Sequence, residues 1–194
     1  VSTARAAAEG SAEAARGNRR PRRVRGIDFS RPTKFTQEQL RRIERAHESF
    51  CRTAALRLAG EARTDVELEV LNLTQLTWSV ALAELPPNSL FGIVRVDPPG
   101  THVLLSVELL AVRALVERML GSAHVASVPG DSDLTEIELA LARRVLTTIV
   151  EQLSHTWEEL LGVTLELDGT DVHVQNVQLT SPSGTTIGLF SNIG

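Results

Sequence analysis

Hydrophobic side chains recur every three or four residues over two long stretches of the chain. The first stretch contains Leu40, Ile43, His47, Phe50, Ala54 and Leu58, and the second contains Leu139, Ala142, Leu146, Ile149, Leu153 and Trp157. This spacing places the side chains on one face of a helix, so the pattern predicts two long amphipathic helices. Thr36 and Gln39 have the spacing of a capping box, which marks a helix start. Thr135 and Glu138 repeat that spacing before the second helix, and the first helix is predicted to end near Gly60.

Shorter segments alternate between apolar and polar residues, as half-buried strands do. The clearest is VELEV at residues 66–70, and other strands are predicted over residues 90–96, 103–107, 163–167, 172–179 and from 186 to the end. Pro98, Pro99 and Gly100 predict a turn between two of these strands. A short helix is predicted over residues 110–120, with Gly121 as its stop, followed by a loop of small residues over 121–133.

The two halves of the chain repeat each other. A shift of 99 residues places Thr36 on Thr135 and Leu40 on Leu139, and a shift of 97 places VELEV on VTLEL. A capped helix followed by strands, used twice, predicts a pseudo-symmetric α/β sandwich in which helices cover the sheet.

The N-terminal segment has a different composition from the rest. Residues 1–30 are rich in Ala, Gly and Arg, and the run RRPRRVRG from Arg19 contains five arginines in eight residues. Such a segment buries too little apolar area to offset its ordering entropy, so residues 1–30 are predicted to be a disordered linker. A basic arm for an acidic partner or for lipid headgroups is the alternative. The folded domain is predicted to span residues 31–194.

Composition and charge exclude several classes of protein. The formal net charge is -4, which gives no cationic field for nucleic acid, so no nucleic-acid partner is expected. The single cysteine, Cys51, indicates a reducing compartment. No apolar run approaches the roughly 20 residues of a membrane span, and no signal peptide is recognisable. These features predict a cytoplasmic protein.

A search for catalytic or ligand-binding chemistry finds no candidate site. The five histidines lack the spacing of metal ligands, and no phosphate-binding glycine loop is present, so neither a metal nor a cofactor is expected. His47 lies on the apolar stripe of its helix and is predicted to be a buried core histidine. Cys51 is predicted to be a buried small hydrophobe. The chain is therefore predicted to be a protein-interaction module and not an enzyme.

Several segments resemble one known family. The run DFSRPTKFTQEQL from Asp28 resembles the start of the middle domain of the flagellar motor switch protein FliM family. The segments VELEVLNLTQLTW, LVERMLG, DLTEIELALARRVL and NVQLTSP are similar to later parts of that domain. The resemblance extends over about residues 28–190, most of the chain.

The resemblance implies an α/β fold: a pseudo-two-fold α/β/α sandwich of CheC-like type, whose second repeat is incomplete at the C-terminus. Residues 31–194 would be the FliM middle domain without its last strand and without the C-terminal SpoA-type domain. The related CheC and CheX phosphatases carry a Glu-x-x-Asn pair on the long helices. Here the matching positions hold Glu44 with His47 and Glu138 with Leu141. The missing asparagine implies that the chain has no catalytic residues.

The resemblance also implies a function and partners. The family member would be a scaffold in the cytoplasmic rotor ring, peripheral to the inner membrane in the basal body of the bacterial flagellum. It would bind FliG and neighbouring FliM copies and help set the rotation direction in chemotaxis. A glycine-rich FliG-binding loop matches Gly121, Ser122, Ala123 and His124. The family regions that bind FliN and phosphorylated CheY have no match in this chain. The alternatives are a CheC-like phosphatase of phosphorylated CheY and a truncated stand-alone adaptor.

Overall fold

The computed structural model describes residues 35–122, 134–173 and 179–194. In these residues the helices are α1 Gln37–Ala62, α2 Trp78–Ala83, α3 Leu109–Met119 and α4 Glu136–Leu161. The strands are β1 Leu68–Thr77, β2 Ser89–Asp97, β3 Thr101–Glu108, β4 Thr164–Asp171 and β5 Thr185–Ile193. The predictions for residues 1–30 and for most of the 121–133 loop lie outside the described residues.

The two long helices confirm the repeat predicted from the sequence. Helices α1 and α4 each have 26 residues, and their first residues are 99 positions apart. Both begin with a capping box: the Thr36 hydroxyl accepts the Gln39 N–H at 3.2 Å, and the Thr135 hydroxyl accepts the Glu138 N–H at 3.3 Å. The side chains of Gln39 and Glu138 accept the cap residue's N–H in return, each at 2.8 Å. Each box satisfies backbone donors that have no partner within the helix.

The C-terminal end of α1 differs from the prediction. The helix continues through Gly60 to Ala62, and Arg63 follows it in the left-handed conformation with φ 52°. Ala62 is buried, four residues after the buried Leu58, so core packing extends the helix beyond its glycine. The equivalent residue of α4 is Gly162, also left-handed with φ 70°. The helix stop is therefore repeated, with arginine in one half and glycine in the other.

The strands of the two halves pair with each other. In the described residues, β1 pairs with β5 in one sheet, and β2 lies between β3 and β4 in another, all antiparallel. The first strand of each half thus pairs with the second strand of the other half. The register repeats at the 97-residue shift, because Leu68 opposite Ile193 corresponds to Leu165 opposite Val96. Even the bulge repeats: the extra residue is Leu71 in β1 and Asp168 in β4.

Three strand predictions need correction, and one helix was missed. Strand β4 runs over residues 164–171 and not 163–167. Strand β1 runs over residues 68–77 and not 66–70, because pairing with β5 extends it beyond the alternating segment. The predicted strand over 172–179 is wrong at residues 172, 173 and 179, and residues 174–178 lie outside the described part. The short helix α2 was not predicted, since six residues are too few to show a helical period.

The last strand is paired along its full length with β1, and Glu67 and Gly194 continue the ladder with two backbone hydrogen bonds of 2.9 and 3.0 Å. Its counterpart β2 has partner strands on both edges. In the described residues β5 has a partner on one edge only. The predicted absence of a further strand in the second half stays a prediction.

One hydrophobic core joins the three longer helices to both sheets. Its fully buried side chains include Ala54, Leu58, Leu90, Val112, Val116, Val145 and Leu146. Gly92 allows close packing here, because a β-carbon would lie 3.0 Å from a Leu167 methyl group. The repeat also appears in the packing. The Cys51 sulfur lies 3.8 Å from the Ser191 hydroxyl. In the other half of the repeat, Val150 takes the place of Cys51 and Val94 takes the place of Ser191, and these two valines belong to one hydrophobic cluster.

Helices α1 and α4 pack against each other in antiparallel orientation. The Arg42 guanidinium lies near the end of α4, 3.5 Å from the Leu160 carbonyl oxygen. At the other end, the Glu61 carboxylate accepts hydrogen bonds from Thr148 at 2.8 Å and Arg144 at 3.0 Å. These contacts fix the two pseudo-equivalent helices in one register.

His47 lies in the contact between these helices and is only 3 % exposed. Its Nδ1 atom lies 3.1 Å from the Ile43 carbonyl oxygen. The imidazole makes edge-on contacts with Phe50 and Trp157, each with ring centroids 5.9 Å apart. Burial lowers the pKa of His47, and the hydrogen bond to Ile43 opposes that effect only in part. The prediction of a buried core histidine is confirmed.

The observed helix ends predict opposite effects for two glycine substitutions. Gly60→Ala lies inside α1 with open space around the added methyl group, so it should raise the free energy of unfolding by about 0.5–1 kcal/mol. Gly162→Ala imposes strain at φ 70° and should lower the free energy of unfolding by about 1 kcal/mol. Urea denaturation of both variants measures the two changes. Destabilisation by Gly60→Ala would contradict a helix that continues to Ala62.

The lowered pKa of His47 predicts acid sensitivity. The histidine is neutral in both states above its unfolded pKa of about 6.5. Below that pH the unfolded chain binds a proton more readily than the fold, so the free energy of unfolding falls as pH decreases. Denaturation at several pH values should show this loss. His47→Leu, which places at this position the leucine found at the equivalent residue Leu146, should reduce the pH dependence.

Candidate binding site at the end of helix α3

Helix α3 is anchored in the core and ends at the surface. Val112, Leu115 and Val116 are buried against the core, whereas the residues that follow the helix are exposed. Two hydrogen bonds of 2.9 Å close its end, from the Gly121 N–H to the Arg118 carbonyl and from the Ser122 N–H to the Glu117 carbonyl. This pair of bonds is the Schellman motif. The prediction that Gly121 stops the helix is confirmed.

The backbone at Gly121 explains why glycine occupies this position. Its φ is 91°, and nothing lies within 4 Å of where a β-carbon would be. The requirement is therefore conformational and not steric, because side chains disfavour positive φ. The Arg118 guanidinium also donates to the Ser122 carbonyl oxygen at 3.4 Å. Gly121 and Ser122 are thus held in a defined conformation with their surfaces open to a partner.

The structure places two of the four predicted binding residues. Gly121 and Ser122 are exposed at the end of α3, whereas Ala123 and His124 lie outside the described residues. Sequence reasoning did not select Leu120, whose side chain is 58 % exposed next to Gly121. The available signal was that Leu120 is a large apolar residue at a helix stop, where burial is not expected. Leu120 thus adds exposed apolar area beside the glycine turn.

The next described residues, from Leu134 onward, lead into α4, and hydrogen bonds hold the start of this helix as well. The carboxylate of Glu138 accepts hydrogen bonds from the Thr135 N–H at 2.8 Å and from its hydroxyl at 2.7 Å. These bonds lower the pKa of Glu138, and the positive charge of Arg113 on α3 adds to the effect. The segment between Ser122 and Leu134 is therefore attached at both ends to elements that pack on each other. Glu138 acts as a cap, which occupies the carboxylate that a phosphatase would use.

A groove of about 270 Å³ lies beside the start of α4. It is lined by Leu90, Leu139, Thr170, Asp171 and Val172. Among the described lining residues Asp171 is the titratable one, and its carboxylate accepts the backbone N–H of His173 at 2.8 Å. Three of the five described lining residues are apolar, so the described part of the groove offers a mainly apolar surface.

Other chemical candidates in the described part do not form a site. Cys51 is buried, and burial raises the pKa of its thiol, so the reactive thiolate is disfavoured. Glu44 is exposed whereas His47 is buried, so the two side chains leave α1 in different directions. No cluster of three or more possible metal ligands occurs among the described residues. Within the same residues, every helix is too short or too polar to cross a bilayer.

Comparison with known protein sequences gives consistent matches. The sequence model described as "Flagellar motor switch protein FliM" matches residues 36–193. The FliM protein of Treponema pallidum is 27% identical over 181 residues, which cover 93% of this chain and 52% of the relative. The FliM protein of Thermotoga maritima is 26% identical over 162 residues, which cover 84% of this chain and 48% of the relative. The chain thus spans about half the length of the curated relatives it matches.

Solved structures show the same fold. FliM in the FliG–FliM complex from H. pylori is similar with a TM-score of 0.77 at 21% identity, over 82% of this chain and 87% of the other. FliY from Thermotoga maritima gives a TM-score of 0.69 at 16% identity, over 83% and 85% of the two chains. These matches confirm the α/β fold of CheC-like type. Because the FliM model matches residues 36–193, which is most of the sequence, this chain belongs to the flagellar motor switch protein FliM family.

Proposed function

We propose that this chain is the scaffold segment of a flagellar motor switch component that binds FliG and helps set the direction of flagellar rotation. The observation that carries the proposal is the family match over residues 36–193. The relative with a TM-score of 0.77 was solved in a complex with FliG. In this proposal the chain lies in the cytoplasmic rotor ring, peripheral to the inner membrane, beside neighbouring FliM copies.

The end of α3 is the proposed FliG contact. The proposed contact comprises the exposed Gly121 and Ser122, with Leu120 beside them, and includes Ala123 and His124, which lie outside the described residues. Three properties support it: a turn closed by the two Schellman hydrogen bonds, backbone that a partner can approach closely because Gly121 has no side chain, and exposed apolar area at Leu120. A preformed turn loses little conformational entropy when the partner binds.

A charged, long side chain at Ser122 should block this contact without altering the fold. Ser122→Arg should leave the melting temperature nearly unchanged and lower the affinity for the FliG middle domain at least tenfold, which is about 1.4 kcal/mol. Calorimetry measures the affinity. Ser122→Ala, which keeps the surface small, should retain binding. Thr101→Arg, at the exposed first residue of β3 and 21 residues before Ser122 in the chain, controls for the added charge. Equal affinities for all three variants would place the FliG contact elsewhere.

The rival function is a CheC-like phosphatase, and the structure suggests how to test it. The exposed Glu44 retains the acidic half of the phosphatase motif, but the residue three positions later is the buried His47. A buried imidazole cannot position an attacking water molecule as an exposed asparagine amide would. The purified chain should therefore not accelerate the loss of phosphate from phosphorylated CheY. An acceleration that Glu44→Ala abolishes would establish the enzyme and refute the purely structural role.

A further inference from the structure

The two ends of the antiparallel pair of long helices are held by different contacts. At one end, the Glu61 carboxylate of α1 accepts two hydrogen bonds from side chains of α4. At the other end, the buried His47 of α1 meets the indole of Trp157 on α4, with ring centroids 5.9 Å apart and ring planes at 87°. The Arg42 guanidinium lies at this same end, 3.5 Å from the Leu160 carbonyl oxygen. An ion pair therefore closes one end, whereas packing of the two rings closes the other.

The hydrogen bond to Ile43 determines where neutral His47 carries its hydrogen. The Nδ1 atom lies 3.1 Å from the Ile43 carbonyl oxygen, and a carbonyl oxygen accepts hydrogen bonds but does not donate them. Nδ1 therefore carries the hydrogen, and Nε2 keeps its lone pair. A further proton must bind at Nε2, on the other side of the ring.

Trp157 already contributes one unsatisfied donor to the interior. Its Nε1–H is buried and has no hydrogen-bond partner in the part of the chain that the structure describes. Protonation of His47 would add a second donor, Nε2–H, together with a positive charge. Such groups are stable in a protein interior only when an acceptor or an opposite charge pairs with them.

The charged and titratable residues around this contact do not offset that charge. On the adjoining parts of α1 and β1 they are exposed, namely Glu44, Arg45, Glu48 and Glu69, and on α4 they are the equally exposed His155, Glu158 and Glu159. Arg113, Glu117 and Arg118 of α3 are half-buried. Cys51 is buried one turn further along α1, and burial raises the pKa of its thiol. The lowered pKa of His47 has two causes, burial and the Ile43 hydrogen bond, so within the described residues no carboxylate compensates for burial of the imidazolium.

We propose that the contact between His47 and Trp157 is a pH-sensitive latch between α1 and α4. While His47 is neutral, it holds residues 37–47 of α1 against the end of α4. When His47 binds a proton, the imidazolium leaves its buried place and this end of the helix pair opens. The Glu61 end stays closed, because its ion pair with Arg144 contains no histidine. The latch lies on α1 and α4 and does not depend on the proposed FliG contact at the end of α3.

The two forms of His47 determine the pH range of the opening. In the open form the imidazole has its ordinary pKa of about 6.5, whereas burial lowers the pKa in the closed form. Above the ordinary value both forms are neutral, so the opening is independent of pH. Between the ordinary and the lowered value, opening takes up one proton, and the ratio of open to closed molecules rises by up to about tenfold per pH unit of acidification. Below the lowered value both forms are protonated and the ratio is again constant.

Hydrogen exchange of the Trp157 indole N–H, followed by NMR in the full chain, measures this opening. The chain has two tryptophans, so either Trp78→Phe or Trp157→Phe identifies the signal by elimination. His47→Gln is the matched variant, because a glutamine amide can donate to the Ile43 carbonyl oxygen but does not titrate. His47→Leu serves as a second non-titrating variant, and circular dichroism checks that each variant is folded. The ratio of wild-type to variant exchange rates at equal pH removes the intrinsic pH dependence of exchange.

This ratio should be constant above about pH 6.5 and should rise by up to about tenfold per pH unit below it. The backbone amides of residues 40–47 should follow the same curve, whereas the amides of β2 should not, because the opening is local. Three results would overturn the proposal. They are a ratio that does not change with pH, an equal rise in the amides of β2, which would indicate global unfolding, and a neutral His47 that carries its hydrogen on Nε2.

Discussion

The exchange of strands between the two halves is the constraint on which the rest of the structure depends. Strand β1 of the first half pairs with β5 of the second, and β4 of the second half pairs with β2 of the first. Neither half therefore has a complete sheet of its own, and the backbone polar groups of each are satisfied by the other. The antiparallel contact of α1 with α4, the closed core and the placement of α3 all follow from this arrangement.

The sequence was most informative where the structure is determined locally or repeated. Both capping boxes, the buried His47 and the stop at Gly121 were predicted because each depends on residues a few positions apart. The repeat of the long helices was predicted because the same pattern recurs 99 residues later. The length of β1 was not predicted, since its partner strand β5 lies more than 100 residues away in the chain. The end of α1 was misplaced because the burial of Ala62 outweighs the preference of glycine to terminate a helix.

The candidate site also combines a feature that the sequence predicted with features that only the structure shows. The Schellman turn at Gly121 could be predicted from a glycine after an apolar helix, but the exposure of Leu120 depends on how α3 packs. Ion pairs between distant elements also required the structure, because the sequence shows charges without showing which of them are paired. Arg144 illustrates this, since its ion pair with Glu61 joins residues 83 positions apart.

The pairing of β1 with β5 has a consequence for how the protein is made. Glu67 and Gly194 exchange two backbone hydrogen bonds at the far end of this ladder. The partner of β1, the first described strand, is therefore β5, the last described strand. At a synthesis rate of about 5–20 residues per second, roughly 6–25 s separate the addition of Leu68 from that of Ile193. During this interval the nascent β1 has no partner strand, and its apolar side chains are open to mispairing and to chaperones. Completion of the fold therefore follows translation of β5, however early α1 forms.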